Sequence, residues 1–299
     1  MVNSGAMRTF VDPAAVSSAL AEVGYLPDTG LSTAAFLALR LHRPLLLEGE
    51  PGAGKTALAA ALARATGAQL IRLQCFEGID AAQALYDWDF PRQVLHLRAV
   101  EATAVDADPA TVESQLYGER FLIERPILRA LRQPPAVLLI DEIDRADDEF
   151  EAFLLEVLTD FAVTIPEIGR VAAEEPPLVV LTSNRTRDLH DALKRRCLYH
   201  WLDHPGLDRE VAILRSRLPE ISDRLAQDVG RAVAALRSAE LVKPPGVAES
   251  LDWARALHIL GGDRIDLERA TASLGAVLKY REDLDRVAQV GLAGLLGLR

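Results

Sequence analysis

Cysteine is almost absent from this 299-residue chain: Cys75 and Cys197 stand far apart. That excludes a disulfide framework and any paired-cysteine zinc or redox motif, and it fits a reducing compartment. No run approaches the roughly 20 apolar residues that span a bilayer, and the first eleven residues carry no apolar stretch of signal-peptide length. A cytoplasmic protein with no membrane span is therefore expected. Positive charge is scarce, with 33 Lys plus Arg against 44 Asp plus Glu and a formal net charge of −11. Such a balance disfavours a broad, nonspecific hold on nucleic acid or anionic lipid. Gly 19 and Pro 16 are too few for a fibrous or linker-like chain, and no internal repeat is visible. What remains, 49% hydrophobic and 26% charged residues, describes a globular protein able to bury a sizeable core.

Strand and helix signals alternate along the first two thirds. Helices fit Ser32 to Leu41 and Thr56 to Ala65, and strands fit Pro44 to Leu47 and Gln69 to Gln74. Ala136 to Ile140 and Leu178 to Leu181 are short and wholly apolar, as strands covered on both faces of a parallel sheet must be, and Leu198 to Leu202 supplies a fifth. After His204-Pro205-Gly206 only amphipathic helices follow, such as Leu207 to Leu218 and Leu251 to Leu260. The long stretch before Ala136 must carry structure of its own. Within it, Tyr86, Trp88 and Phe90 concentrate aromatics in a chain that is 5% aromatic, as anchors to the core or as a contact surface. Glu101 to Glu119 holds acids without a base and reads as a solvated face.

The strongest local signal is Gly49-Glu50-Pro51-Gly52-Ala53-Gly54-Lys55-Thr56, which satisfies the phosphate-loop pattern between an apolar strand and a helix. Its glycines let backbone N–H groups turn towards phosphates, and the helix dipole favours their charge. Lys55 supplies a point charge to the β- and γ-phosphates, and the Thr56 hydroxyl can ligate Mg²⁺. Bound ATP with Mg²⁺ is the expected cofactor pair.

Val137 to Ile140 runs into Asp141-Glu142, placing two acids at the carboxyl end of a strand. Asp141 suits the metal shell and Glu142 the polarisation of an attacking water, a pair of roles that separates an ATPase from a kinase. Leu181-Thr182-Ser183-Asn184 closes another strand, and Asn184 either orients that water or caps a turn. Lys194-Arg195-Arg196 clusters three bases in an acidic protein, either as a solvated patch or as an arginine finger reaching a neighbouring subunit's nucleotide. Cys197, His200 and His204 are short of a closed zinc set.

Taken together, the phosphate loop, LLIDEID, LTSN, the Arg195-Arg196 pair and the helical tail resemble an AAA+ ATPase over roughly Leu31 to Leu260. LEGEPGAGKT, the long insertion, VTIPEIG at 163 to 169 and LTSNRTRDLHDALKRRCLYHW are similar to the MoxR group, in particular its CoxD-like branch. The resemblance implies a fold of class α/β: an AAA+ core with a parallel five-stranded sheet, a helix-2-type insertion and an all-helical lid. Its expected boundaries are an N-terminal segment at 1–30, a core at 31–204 with an insertion at about 77–130, and a lid at 205–299. It implies catalytic roles for Glu142, Asn184, Arg195 and Arg196, nucleotide binding by residues 49–56 and Asp141, and metal binding by Thr56 and Asp141. It further implies a self-assembled ring, expected to be a hexamer, acting as an ATP-driven chaperone with a von Willebrand A domain partner. Its client would be a metalloenzyme such as a molybdenum hydroxylase, for example carbon monoxide dehydrogenase, whose metal centre it matures. The family carries an arginine near the start of a lid helix where this chain has Ala248 or Glu249, with Arg255 one to two turns later. The rival readings are a nucleic-acid-associated AAA+ motor or loader, which the charge disfavours, and a small-molecule kinase, for which Glu142 and the arginine pair are superfluous.

Overall fold

The computed structural model describes residues 6–103 and 115–297, the side chains of 101–103 excepted. Residues 104–114, most of the acidic stretch beginning at Glu101, thus lie outside the described residues. Two helices open the chain, α1 (Pro13–Glu22) and α2 (Thr29–Leu41). Each starts on an aspartate that accepts a backbone N–H: Asp12 from Ala15 and Asp28 from Leu31, both at 2.7 Å.

The core then alternates as its apolar runs require. Strand β1 (Leu45–Gly49), helix α3 (Lys55–Thr66) and strand β2 (Gln69–Gln74) come first. The insertion follows with α4 (Ala81–Leu85), β3 (Tyr86–Trp88), α5 (Phe90–Thr103) and β4 (Leu122–Glu124). Helix α6 (Pro126–Arg132) returns the chain to β5 (Ala136–Asp141). Next come α7 (Asp148–Asp160), a hairpin of β6 (Ala162–Ile165) and β7 (Gly169–Ala172), β8 (Leu178–Ser183), α8 (Asp191–Arg196) and β9 (Leu198–Leu202).

Five strands pair in parallel in the order β2-β5-β8-β1-β9. Alternation along each strand feeds two separate cores, so neither face can be left to water. Leu46, Leu138, Ile140, Val179 and Leu181 pack on one face, and Leu45, Leu47, Val137, Leu139 and Val180 on the other. The second core also takes Phe10, Val16 and Leu20, which ties the N-terminal segment to the sheet. The insertion anchors by pairing β3 antiparallel to β4, with Tyr86 and Trp88 packed against the first core, whereas Phe90 stays exposed. The anchor reading therefore holds for Tyr86 and Trp88 and not for Phe90.

From α9 (Leu207–Arg217) onward the described chain is helical, through α10 (Asp223–Arg237), α11 (Val247–Ile259) and α12 (Leu267–Val277). These helices close around Trp253, which is fully buried and donates its indole N–H to Ser273 Oγ at 2.8 Å. Arg237 locks the junction with the core. It pairs with buried Glu210 at 2.7 Å and donates to the carbonyls of Pro205 at 3.4 Å and Pro245 at 2.8 Å. Among the described residues, no helix is long and apolar enough to cross a membrane.

Both cysteines end up inside the first core, and burial pushes each thiol up to about 12. A thiol-specific disulfide reagent at pH 8 is thus expected to modify neither in the native protein and both in denaturant; prompt native labelling would show that this core opens.

Candidate active site

The phosphate loop leaves the carboxyl end of β1, where a parallel sheet places its binding crevice. Gly49 sits at φ +151°, and a Cβ there would come within 2.1 Å of the Leu202 carbonyl oxygen, so β9 holds the loop from one side. The lid holds it from the other. A Cβ on Gly52 would stand 3.0 Å from Gly246 Cα, and the Val247 N–H donates to the Gly52 carbonyl at 2.9 Å. Only glycines let backbone approach backbone this closely.

Lys55 is nearly buried, its ammonium donating to the carbonyls of Gly49 at 2.7 Å and Glu50 at 2.9 Å. Burial pulls it below the usual lysine range, opposed by the carboxylates of Asp144, Glu50, Asp141 and Glu142. Beside it, Thr56 donates to Asp141 Oδ1 at 3.0 Å. Asp141 is 3% exposed, and its other partners are Thr182 Oγ1, at 2.5 Å on Oδ1, and Arg72 Nη2, at 2.5 Å on Oδ2. The Thr182 oxygen also accepts the Glu142 N–H at 2.9 Å, fixing the acid that follows in a left-handed turn at φ +56°. The Glu142 carboxylate faces outward and accepts from Gln74 Nε2 at 2.9 Å and Arg145 Nη1 at 3.2 Å.

Asn184 lies where β8 ends, and its backbone N–H meets both oxygens of Asp144 at 3.3 Å. Asp144 is buried and also accepts from Thr186 N at 2.9 Å and Thr186 Oγ1 at 2.7 Å, pinning the loop that carries Asn184. One cavity of about 460 Å³ gathers Gly52, Lys55, Thr56, Asp141, Glu142 and Asn184. Its far wall is formed by Tyr25, whose hydroxyl lies 3.5 Å from the Gly54 carbonyl, and by the lid.

The remaining expected residues are elsewhere. Arg195 and Arg196 are exposed on α8 and do not line this cavity; Arg196 donates to Thr159 Oγ1 at the end of α7. Their helix is fastened by Arg43, which donates to the carbonyls of Arg195 at 2.8 Å, Arg196 at 3.2 Å and Cys197 at 3.4 Å. On α11 the cavity meets Val247, Ala248 and Leu251, while Glu249 turns to the Gly246 N–H at 3.0 Å and Arg255 lies outside the cavity lining. The lid cations at the cavity come from α9 instead. Arg209 is fixed by Asp28 at 3.1 Å and by the Leu26 carbonyl, whereas the Arg217 guanidinium has no hydrogen bond or ion pair among the described residues. Reading the sequence alone misses Arg72, Gln74, Asp144, Thr182, Arg209 and Arg217, although LLIDEID and LTSN already display Asp144 and Thr182.

Residues 45–201, about half of the chain, match the family described as "ATPase family associated with various cellular activities (AAA)". The chain belongs to this family. Membership implies ATP hydrolysis and accounts for the five-stranded α/β core. A spastin from Danio rerio is 28% identical over 238 residues, covering 76% of this AAA chain and 35% of the spastin. A midasin from Giardia intestinalis is 48% identical over 48 residues, 16% of this chain and 1% of the midasin. The chain thus spans about a third or less of the length of these relatives. Among solved structures, a mutant of the Thermotoga maritima RuvB superposes with a TM-score of 0.49 at 17% identity, covering 97% of this chain and 84% of that one.

Thr182 joins both acids through one oxygen. Thr182→Val removes a hydrogen bond to a buried carboxylate, worth about 1.5–3 kcal/mol. The ATPase turnover number is expected to fall about tenfold to a hundredfold while ATP affinity changes little, as steady-state kinetics with equilibrium nucleotide binding would show.

Proposed function

We propose that this AAA ATPase is a MoxR-type remodelling chaperone that works as a cytoplasmic ring, with the hexamer as its assembly. The observation that carries the nucleotide chemistry is the convergence of Lys55, Thr56, Asp141, Glu142 and Asn184 on one cavity at the carboxyl edge of β1, β5 and β8. Lys55 and the loop N–H groups bind the phosphates of ATP. Thr56 Oγ1 and Asp141 Oδ1, 3.0 Å apart, are hard oxygen donors of the kind Mg²⁺ selects, and these two residues would hold it. When bound, Mg²⁺ supplies positive charge against the phosphate oxygens. Glu142 takes the proton of the attacking water, and Asn184 orients that water towards the γ-phosphate.

Assembly follows from where the arginines point. Arg195 and Arg196 stand exposed, away from their own cavity, on a helix that Arg43 fastens to the start of β1. An arginine so placed serves a neighbouring subunit's nucleotide, with Arg196, the last residue of α8, the first choice. The similarity of LEGEPGAGKT, VTIPEIG and LTSNRTRDLHDALKRRCLYHW to the MoxR group supports the finer role. The partner is then a von Willebrand A domain protein and the client a metalloenzyme undergoing metal-centre assembly, such as a molybdenum hydroxylase.

Mixing tests the shared site. Arg196→Ala subunits keep an intact phosphate loop and Lys55→Ala subunits keep an intact finger, so mixed interfaces pair a good loop with a good finger. Each variant alone is expected to lose about 10³-fold or more in rate, with part of the activity returning in mixtures. Absence of recovery in rings shown to be mixed would place the arginine's action within its own subunit.

A further inference from the structure

The cation nearest the proposed metal carboxylate is not part of the phosphate loop. Arg72 lies on β2, two residues before Gln74, so both side chains project from the same face of that strand. Gln74 is in register with Asp141 on β5, which brings the arginine across to the acid. Its Nη2 sits 2.5 Å from Asp141 Oδ2 and 2.5 Å from Gln74 Oε1. Turned in this way, the Gln74 amide presents its N–H to Glu142 at 2.9 Å. One guanidinium nitrogen therefore touches the acid that would hold the metal and the amide that holds the water-polarising acid.

Burial differs sharply across the pair: the Asp141 side chain is 4% exposed and that of Arg72 is 52% exposed. The carboxylate must keep a partner, because an unpaired buried charge is costly, whereas the arginine can swing into water at little cost. A divalent cation at Thr56 and Asp141 would repel a guanidinium already on the same carboxylate.

We propose that Arg72 is a displaceable counter-ion for Asp141 that competes with Mg²⁺ and so sets the metal concentration at which the nucleotide site fills. The inference rests on the reading of Asp141 as a metal-shell residue. Asp141 is thereby held in position before the metal arrives, and the arginine contact is given up as Mg²⁺ binds. The concentration of free metal, rather than of nucleotide alone, then determines when the site is complete.

The test reads equilibrium binding and no turnover: ADP affinity of the full chain, measured by calorimetry over free Mg²⁺ from chelator to millimolar. Arg72→Ala and Arg72→Gln are expected to lower the Mg²⁺ midpoint about tenfold, the order expected on losing a charge-assisted contact, with metal-free ADP affinity unchanged. Arg72→Lys keeps the charge and should stay near the parent midpoint. In an Asp141→Asn background, Arg72→Ala should have no effect. A midpoint that is unchanged or raised in both neutral variants, or a shift that persists in the Asp141→Asn background, would overturn the proposal while leaving the metal reading intact. If Asp141→Asn alone left the Mg²⁺ dependence untouched, the metal role of Asp141 would fall, and the competition with it.

Discussion

A carboxylate buried at the end of a central strand sets the terms for everything around it. A carboxylate buried without donors would be costly, and those of Asp141 come from three other places in the chain: Thr56 at the start of α3, Thr182 near the end of β8 and Arg72 on β2. Those three meet because β2, β5 and β8 lie side by side in parallel, with α3 packed on one face of the sheet. The sheet order and the site chemistry are thus one constraint seen twice. A slip of one residue in any of these strands would send its polar end into an apolar core and leave the acid unpaired.

Around that acid the site is built in tiers. Thr182 lines the cavity and Asp144 lies behind it, and each fixes the backbone of a residue with a proposed chemical role, Glu142 and Asn184 respectively. The lid meets the phosphate loop backbone to backbone, from the Val247 N–H to the Gly52 carbonyl, with the Glu249 carboxylate beside them. The loop is thereby joined to α11 and, through Arg237 and Pro245, to the rest of the helical region. On the opposite side, Arg43 ties the arginines of α8 to the residues just before β1. The strand that feeds the phosphate loop is thereby joined to the group proposed to act on the next subunit.

Much of this was legible in the sequence because the signals are local. The phosphate loop shows itself by glycines with Lys55 and Thr56 at fixed spacing, and the buried strands by short, wholly apolar runs. The carboxyl-end positions of Asp141 and Asn184 follow from those strands. The supporting residues were not legible, since each acts through parallel pairing between segments remote in sequence. Arg72 and Gln74 look like the polar face of an edge strand until the register with β5 sets them beside Asp141 and Glu142. Arg217 reads as the solvent face of an amphipathic helix, and only the fold turns it towards the cavity. The three-residue strands β3 and β4 are too short for any periodic signal, so the insertion's anchoring hairpin emerges only from tertiary pairing.

Binding and chemistry share one cavity in the proposed mechanism, ATP being held by the phosphate loop and hydrolysed through Glu142. Glu142→Gln separates the two directly, measured as nucleotide bound per chain and phosphate released from γ-labelled ATP in the same sample. MgATP binding is expected to stay parent-like, with phosphate release reduced at least a hundredfold. Release at the parent rate, or loss of ATP binding from a folded protein, would contradict it.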